Sequence, residues 1–513
     1  MERHGTESYF VLDEGLLAET VGGRERALAA AVEEEAPPFR FRRLGPRGDQ
    51  LGNPALQRLA NAMTAGGRRA GRIPAGYTYL GQFVDHDLTF DKTKVTLGER
   101  VTPAQLVQAR SPSLDLDSLY GAGPQDPVSA RFYEDDVHLK VGRTDRIGPD
   151  EAKEGYDLPR RGSGNAAARR RALIPDPRND ENLAVAQTHL ALIRFHNRVV
   201  DSLPASVPPA QRFTRARELV VKHYQWMLRR DYLPRICARA VVNDVFANGR
   251  KAFEVGAPPT DVPTMPLEFS VAAFRLGHSM VREDYSWNRR FDFGSGTLDL
   301  LFEFSGGSGS LGGGRRLPSN WLVDWRRFYD FSEAGRADLV VPAARFNRAM
   351  RIDTALVFLL RFLPTFPFDE ANLAFRNLVR AKMLRLATGQ QMARFLRSKG
   401  VSVKTLTKAQ IRNGANGAEL DRLTKTQRDA LLRDTPLWFY ILREAELGPG
   451  KLDGVGARIV AETFHRAMEG SEFSIVRDPA WRPTLGPNST TFRMVDLLLF
   501  AFRGRKRLLS PLG

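Results

Sequence analysis

The stretch Gly81-Gln82-Phe83-Val84-Asp85-His86-Asp87 places an amide, two carboxylates and an imidazole close together. On a helix, Gln82, Asp85 and His86 occupy positions i, i+3 and i+4 and therefore share one face. Asp87 is rotated by about 100° from His86 and meets a different neighbour. Such a face suits a buried polar pocket, but a solvated polar helix end explains it at least as well. The segment alone does not decide between the two.

Helical spacing dominates the rest of the chain. Apolar residues recur at steps of three and four in five stretches: 181–200, 212–228, 371–396, 426–445 and 455–468. Alternation typical of a strand is scarce, and Leu298–Phe304 is the best candidate for one. We therefore predict a mainly α fold with very little β. Residues 1–40 form an N-terminal extension and residues 41–513 a single large catalytic domain.

The composition restricts the class of protein. The chain has 513 residues, of which 42% are hydrophobic and 26% charged, as in a globular protein with a sizeable core. No apolar run approaches the roughly 18 residues that a membrane span needs, and no secretory signal opens the chain. The single cysteine, Cys237, excludes an intrachain disulfide and fits a reducing compartment. These features predict a cytoplasmic location, with export by a signal-independent route left open.

The net charge is +17, and arginine supplies most of it. Such a charge suits a polyanionic partner. However, the basic residues are spread along the chain, and only Arg169-Arg170-Arg171 forms a tight run. No sequence signature of a nucleic-acid-binding fold accompanies them. We therefore expect no specific nucleic-acid partner.

One glycine-rich motif is misleading. Gly307-x-Gly309-x-x-Gly312 matches the dinucleotide-binding fingerprint as a string, but Gly313-Gly314-Arg315-Arg316-Leu317-Pro318 follows it. This continuation cannot open the phosphate-capping helix that the fingerprint requires. We interpret the segment as a glycine-rich loop.

Beyond these residues, segment 73–89 resembles the distal-histidine segment of the animal-type haem peroxidases, the peroxidase–cyclooxygenase superfamily, and of its bacterial branch in particular. Further segments match that family in the same order along the chain: Asp176-Pro177-Arg178-Asn179-Asp180-Glu181 with His196-Asn197-Arg198, Ala273-Phe274-Arg275-Leu276-Gly277-His278-Ser279, and Arg376-Asn377-Leu378-Val379-Arg380. The resemblance covers roughly residues 35–505 and implies a helical domain that binds haem b.

On the distal side of the haem, the resemblance implies a catalytic set of His86, Arg178 and Gln82. Cleaving the peroxide bond needs a base that moves a proton from the inner to the outer oxygen, and a neutral imidazole at His86 can do so. The Arg178 guanidinium would stabilise charge on the leaving oxygen. Gln82 would hold the distal water or a small anion.

On the proximal side, the resemblance implies that His278 binds the haem iron. Its second ring nitrogen needs a partner that sets the tautomer, and the match gives this role to Asn377. Arg275 and Arg380 would pair with the haem propionates. Asp85 and Glu181 align with the carboxylates that form ester bonds to the haem. Asn182 stands where one mammalian branch carries a methionine in a sulfonium link, so that third link is absent.

The family also holds calcium beside the distal helix, and the implied ligands are Asp87, Ser111, Ser113, Asp115 and Asp117. Oxygen atoms on alternating residues suit a hard cation. A solvated acidic turn is the alternative explanation for this loop. Asp117 departs from the hydroxyl residue common at its position, which adds charge without removing an oxygen ligand.

The resemblance implies a peroxidase that reduces hydrogen peroxide and oxidises phenols or small anions such as iodide, thiocyanate and bromide. One alternative is a fatty-acid oxygenase of the same superfamily. Those enzymes carry a radical tyrosine three residues before the proximal histidine, where this chain has Arg275. Another alternative is a non-catalytic polyanion-binding protein, which the charge alone suggests. It would predict a broken distal site, whereas Gln82, His86 and Arg178 are all present.

Overall fold

The fold is described from a computed structural model, which covers residues 39–65, 69–93, 97–362 and 371–513. Apart from its last two residues, the predicted extension 1–40 lies outside the described residues. The α-helices are α1 Asn53–Met63, α2 Gly76–Leu88, α3 Asp117–Tyr120, α4 Ala166–Arg170, α5 Leu183–Ser202, α6 Pro209–Met227, α7 Leu233–Ile236, α8 Arg239–Asn248, α9 Leu267–Ser270, α10 Gly277–Met280, α11 Leu298–Glu303, α12 Leu373–Met383, α13 Gly389–Ser398, α14 Lys408–Asn413, α15 Lys425–Arg433, α16 Leu437–Leu447, α17 Gly454–Glu469, α18 Met494–Ala501 and α19 Lys506–Leu509.

The β-structure of the described residues consists of short two-stranded pairs. The strands are β1 Phe41–Arg42, β2 Ala70–Pro74, β3 Gly142–Arg143, β4 Glu154–Asp157, β5 Met265–Pro266, β6 Asp284–Tyr285, β7 Gly296–Thr297 and β8 Arg348–Met350. Strand β1 pairs in parallel with β5, whereas β2–β8, β3–β4 and β6–β7 are antiparallel. The prediction of a mainly α fold with very little β is confirmed.

The strand predicted at Leu298–Phe304 is wrong, because this segment forms helix α11. Thr297 caps the helix: its side chain accepts a hydrogen bond from the Leu300 backbone N–H, and Asp299 lies in the first turn. The alternation that suggested a strand does not describe burial, since Leu298 and Leu301 are the buried residues. That spacing of three is helical.

Predicted helical segments are observed, and two of them are divided. Segment 371–396 contains α12 and α13, and Thr388 starts α13 with a capping box that includes Gln391. Segment 426–445 contains α15 and α16, and the break falls at 434–436. Pro436 cannot donate a backbone hydrogen bond, so it favours a helix start over a helix interior.

The core is built around α2 and α5, which pack against each other. Every residue of α2 except Asp85 is buried, including Gln82, His86 and Asp87. This burial excludes the solvated helix end as an explanation of the polar face. Further packing pairs are α1 with α12, α8 with α17 and α5 with α18. Among the described helices, none combines the length and the apolar character needed to cross a membrane.

Candidate active site

A cavity lies between α2 and the segment that leads into α10. Segments 274–280 and 78–86 both contribute to its lining, although almost 200 positions separate them in the chain. The lining residues are Thr78, Gly81, Gln82, Asp85, His86, Tyr232, Phe274, Arg275, Gly277, His278 and Met280. The cavity therefore brings together the predicted distal histidine, His86, and the predicted proximal histidine, His278.

His86 is held in one tautomer. Its Nδ1 lies 2.9 Å from the Oδ1 atom of Asn179, which can only accept a hydrogen bond, so Nδ1 carries the proton and Nε2 is the acceptor. Burial first, and then the charge of Arg178, lower the pKa of His86 to about 3. The imidazole is consequently neutral at neutral pH. A neutral ring with an acceptor nitrogen can take a proton from a bound molecule.

Gln82 is clamped by the start of α5. Its Nε2 donates to Glu181, and its Oε1 accepts from Asn182 Nδ2 at 3.0 Å. The Asn182 Oδ1 atom in turn caps α5 at the Val185 N–H, at 2.9 Å. The same Glu181 oxygen lies 3.8 Å from His86 Nε2. Glu181 and Asn182 thus fix the direction of the Gln82 amide beside the distal histidine.

Arg178 is fully buried behind the distal helix. It donates to Asp176 from Nε at 2.9 Å and from Nη2 at 2.8 Å, and Nη2 also reaches the His86 carbonyl oxygen at 2.8 Å. Burial alone would raise the pKa of Asp176, but Arg178 and Arg110 outweigh it and lower the pKa. Arg178 does not line the cavity. The structure places its charge beside the His86 backbone.

His278 lies on the opposite wall, at the start of α10. Its Nδ1 is 2.9 Å from the amide of Asn377, with the amide nitrogen placed towards the ring. The Asn377 Oδ1 atom is buried and has no hydrogen-bond partner among the described residues. With the amide turned so that Oδ1 faces the ring, Oδ1 accepts from Nδ1–H, and this orientation fixes the tautomer that carries the proton on Nδ1. The second nitrogen, Nε2, is then the donor atom for a metal in the cavity.

The two predicted propionate partners differ in position. Arg275 lines the cavity, donates from Nε to the Ser270 carbonyl at 2.8 Å and lies 4.0 Å from Asp85 Oδ2. Arg380 is buried and forms an ion pair with Asp91, and it is not a lining residue. The structure brings Arg275 and Asp85 together at the cavity and leaves Arg380 further away.

The predicted calcium loop packs at the end of α2. Asp87 Oδ1 accepts from the Ser118 N–H at 3.2 Å and from the Ser118 hydroxyl at 2.9 Å, while its Oδ2 is buried and has no hydrogen-bond partner among the residues that the structure describes. Asp115 Oδ1 accepts from Ser471 at 2.6 Å. Ser113 donates to the Gly470 carbonyl at 3.1 Å.

Burial, with the neighbouring Asp117 carboxylate, raises the pKa of Asp87 to about 7. The pKa of Asp115 is raised to about 6, and that of Asp117 is raised as well, in both cases mainly by burial. In the described part of the chain, no three His, Cys, Asp or Glu side chains converge closely enough to hold a metal by themselves. A cation here would therefore also need oxygen atoms from hydroxyl or backbone groups, such as those of Ser111 and Ser113.

Sequence reasoning missed two residues of the site. Asn179, which sets the His86 tautomer, directly follows Arg178 and could have been found from its place in that motif. Tyr232 lines the cavity from a π-helical turn, Leu228–Tyr232, that joins α6 to α7. Such turns are rare and often occur at functional sites. No pattern in the sequence predicts this one.

Comparisons with known proteins agree with this geometry. Residues 72–300 match the family model described as animal haem peroxidase. The chain is 29% identical to rat (Rattus norvegicus) thyroid peroxidase over 188 residues, 35% of this chain and 20% of that protein. It is 25% identical to heme peroxidase 2 of Caenorhabditis elegans over 181 residues, 34% of this chain and 24% of that protein. The matches thus span a quarter or less of these relatives.

Two solved structures share the fold. Peroxidase A from Dictyostelium discoideum superposes with a TM-score of 0.53 at 15% identity, covering 93% of this chain and 94% of that one. The fatty acid alpha-dioxygenase of Oryza sativa gives a TM-score of 0.54 at 10% identity, covering 91% and 78%. The family-model match over residues 72–300 and the curated relatives, together with the shared fold and the two histidines that line one cavity, support the peroxidase–cyclooxygenase superfamily for this chain.

Proposed function

We propose that the protein is a haem-dependent peroxidase that reduces hydrogen peroxide and oxidises phenols or small anions such as iodide, thiocyanate and bromide. One observation carries this proposal: His86 and His278 line the same cavity, each with Nδ1 next to an asparagine amide. One imidazole can then bind the haem iron through Nε2, while the other serves as a base.

The residues present fit haem. His278 offers a nitrogen ligand whose orientation Asn377 supports, and Arg275 offers a charge-assisted contact for a propionate. Arg380 would have to exchange Asp91 for a propionate to take the same role. Phe274 and Met280 supply the apolar part of the lining. Bound haem would supply an iron that peroxide oxidises by two electrons.

The distal residues would move the proton. His86 Nε2 accepts it from the inner peroxide oxygen and delivers it to the outer oxygen, which leaves as water. Asn179 keeps the Nδ1 proton in place, so Nε2 is ready to accept. The buried Arg178 charge favours the negative charge that develops on the leaving oxygen and keeps His86 neutral. Gln82, clamped by Glu181 and Asn182, orients the bound water or small anion.

The alternatives have less support. A fatty-acid oxygenase would need a tyrosine three residues before His278, and that residue is Arg275. The likeness to the rice dioxygenase, at 10% identity, extends to the fold alone. A non-catalytic polyanion-binding protein would not need a buried distal histidine held by Asn179.

Replacing His278 with Ala should abolish the haem spectrum or yield protein without haem, because the iron would lose its protein ligand. The measurement is the absorption spectrum of purified protein, with haem content determined separately. His138→Ala is the matched control, since this half-buried histidine pairs with Asp135 and Asp201 and does not line the cavity. A native ferric spectrum in His278→Ala would contradict the ligand assignment.

Replacing His86 with Ala should slow the reaction with peroxide by ~10²–10⁴-fold, the usual contribution of one acid–base group. Stopped-flow absorbance of the haem provides the rate constant. Because the pKa of His86 is lowered to about 3, its Nε2 should accept a proton throughout the range from about pH 5 to 8. The wild-type rate constant should then stay flat over this range. An imidazole with an ordinary pKa of about 6.5 would lose most of its rate at the acidic end. That loss, or a His86→Ala rate within about threefold of wild type, would refute the assignment.

Removing calcium should lower the thermal unfolding midpoint and the activity. A ligand at about a hundred times its Kd stabilises the native state by about 2.7 kcal/mol, and Asp87 ties the loop to α2. Asp115→Asn should abolish the response to a chelator, whereas Asp135→Asn, at an exposed carboxylate, should retain it. Elemental analysis without calcium, together with a midpoint that chelators do not move, would exclude the ion.

Turnover with peroxide should attach the haem covalently through Asp85 and Glu181. Acidified organic solvent should then fail to extract haem from wild type but should release it from the Asp85→Val, Glu181→Gln double variant. Since Asn182 cannot form the electron-withdrawing sulfonium, chloride oxidation at neutral pH should be slow. Free extraction from turned-over wild type would remove the ester proposal, and rapid hypochlorous acid production would remove the redox argument.

A further inference from the structure

The positive charge of this protein is strongly concentrated in one stretch. Residues 371–418 contain ten Lys and Arg residues and not a single Asp or Glu, in a chain whose net charge is +17. More than half of the excess charge therefore comes from less than a tenth of the sequence. The even spread of basic residues inferred from the sequence holds only outside this stretch.

Four of these cations have partners within the fold. Arg376 and Arg380 are buried, Lys382 donates to Asn53 Oδ1 at 2.5 Å, and Arg385 lies 3.8 Å from Asp49. The other six are exposed, and they form what we call the basic surface: Arg394, Arg397, Lys399, Lys404, Lys408 and Arg412.

Within the described ranges, no residue of the basic surface has a carboxylate within ion-pair distance. The carboxylate of Asp429 on α15 interacts with Lys408 at longer range: the positive charge of Lys408 contributes to lowering the pKa of Asp429. Exposed arginines elsewhere can have such a partner, as in Arg290 with Asp150 and Arg422 with Glu419. The basic surface therefore carries charge that the folded chain leaves largely uncompensated.

The six side chains come from one continuous part of the structure. Arg394 and Arg397 stand one turn apart on α13, and Arg397 Nη1 donates to the Val403 carbonyl at 3.3 Å and to Thr405 Oγ1 at 2.8 Å. These bonds hold the loop 399–407 against the helix. The loop continues into α14, which carries Lys408 and Arg412 one turn apart.

Helix α13 and the loop that follows it both contact the same tyrosine, Tyr440. The Leu406 N–H donates to Tyr440 Oη at 2.8 Å, and Gly389 approaches the Tyr440 ring so closely that a Cβ there would lie 1.9 Å from it. The apolar residues of α13, among them Met392 and Leu396, are buried. Helix α13 therefore lies flat on the core with its cations outward.

Two features indicate what partner this surface suits. Clusters of four to eight Lys and Arg residues on an amphipathic helix are typical of sites for anionic lipid headgroups. Proteins that bind single-stranded nucleic acid usually combine cations with exposed aromatic rings that stack on bases. Here the only aromatic residue between 394 and 412 is Phe395, which is half-buried with Lys399 Nζ 5.6 Å from its ring centre.

We propose that the basic surface binds an anionic phospholipid membrane, electrostatically and without insertion. The contact is reversible and weakens with ionic strength, because cations and lipid phosphates act across solvent. It does not depend on the peroxidase chemistry proposed above.

The test compares two variants of the full chain with the same change in net charge. One replaces four cations with Glu: Arg394, Lys399, Lys404 and Arg412. The side chains of these four residues form no hydrogen bond or ion pair with the described residues, whereas Arg397 does. The control replaces the exposed Arg143, Arg146, Arg315 and Arg316 with Glu. Co-sedimentation with phosphatidylcholine vesicles, with and without phosphatidylserine, gives the partition coefficient.

Wild type and control should bind the phosphatidylserine vesicles and release them at high salt. The basic-surface variant should bind at least about a hundredfold more weakly, given the contribution of each cation near an anionic surface. An unchanged far-ultraviolet spectrum and melting midpoint would show that both variants fold. Three results would overturn the proposal: no vesicle binding by wild type, equal losses in both variants, or tighter binding of duplex DNA or RNA than of vesicles at the same salt concentration.

Discussion

A polar helix face buried in the interior of a protein must find a partner for each of its groups, and this requirement organises the centre of the molecule. Helix α2 carries Gln82 and His86 out of bulk water to the lining of a buried cavity, so their polar groups need partners from the protein. Their partners come from residues 176–182, which supply Asn179 to His86 and Glu181 with Asn182 to Gln82. The site exists because these two segments satisfy each other.

The same requirement explains the position of Arg178. A guanidinium that is fully buried needs a carboxylate, and Asp176 provides it from two residues away. The Nη2 atom of Arg178 also donates to the His86 carbonyl oxygen, so the positive charge is fixed beside the backbone of the distal histidine. As a result, a positive charge and burial act in the same direction on His86 and keep it neutral. The group that a peroxidase needs as a base is thus held in the basic form by its surroundings.

Charge is distributed differently inside and outside the fold. Buried arginines such as Arg443 and Arg458 are paired with Glu446 and Glu462 on their own helices. An unpaired charge in the interior would cost several kcal/mol, so the pairing is obligatory there. On the outside, water solvates a cation at little cost, and the chain can retain six exposed cations on α13, the following loop and α14 without counter-charges. Surface charge of this kind is available for a partner.

The sequence by itself determined the helical class, because apolar spacing along the chain records it, and a resemblance carried by motifs in order along the chain predicted the family and the two histidines. It also located several of the longer helices, since apolar periodicity records the buried face: α5, α6, α12, α13, α15, α16 and α17. It failed at Leu298–Phe304, where alternation imitated a strand and a Thr297 cap selected a helix. Only the tertiary structure showed that Asn179 holds His86, that Arg380 faces Asp91, and that Tyr232 lines the cavity. The physical reason is that these contacts join residues far apart in the chain or depend on side-chain direction. Spacing along one segment carries no information about either.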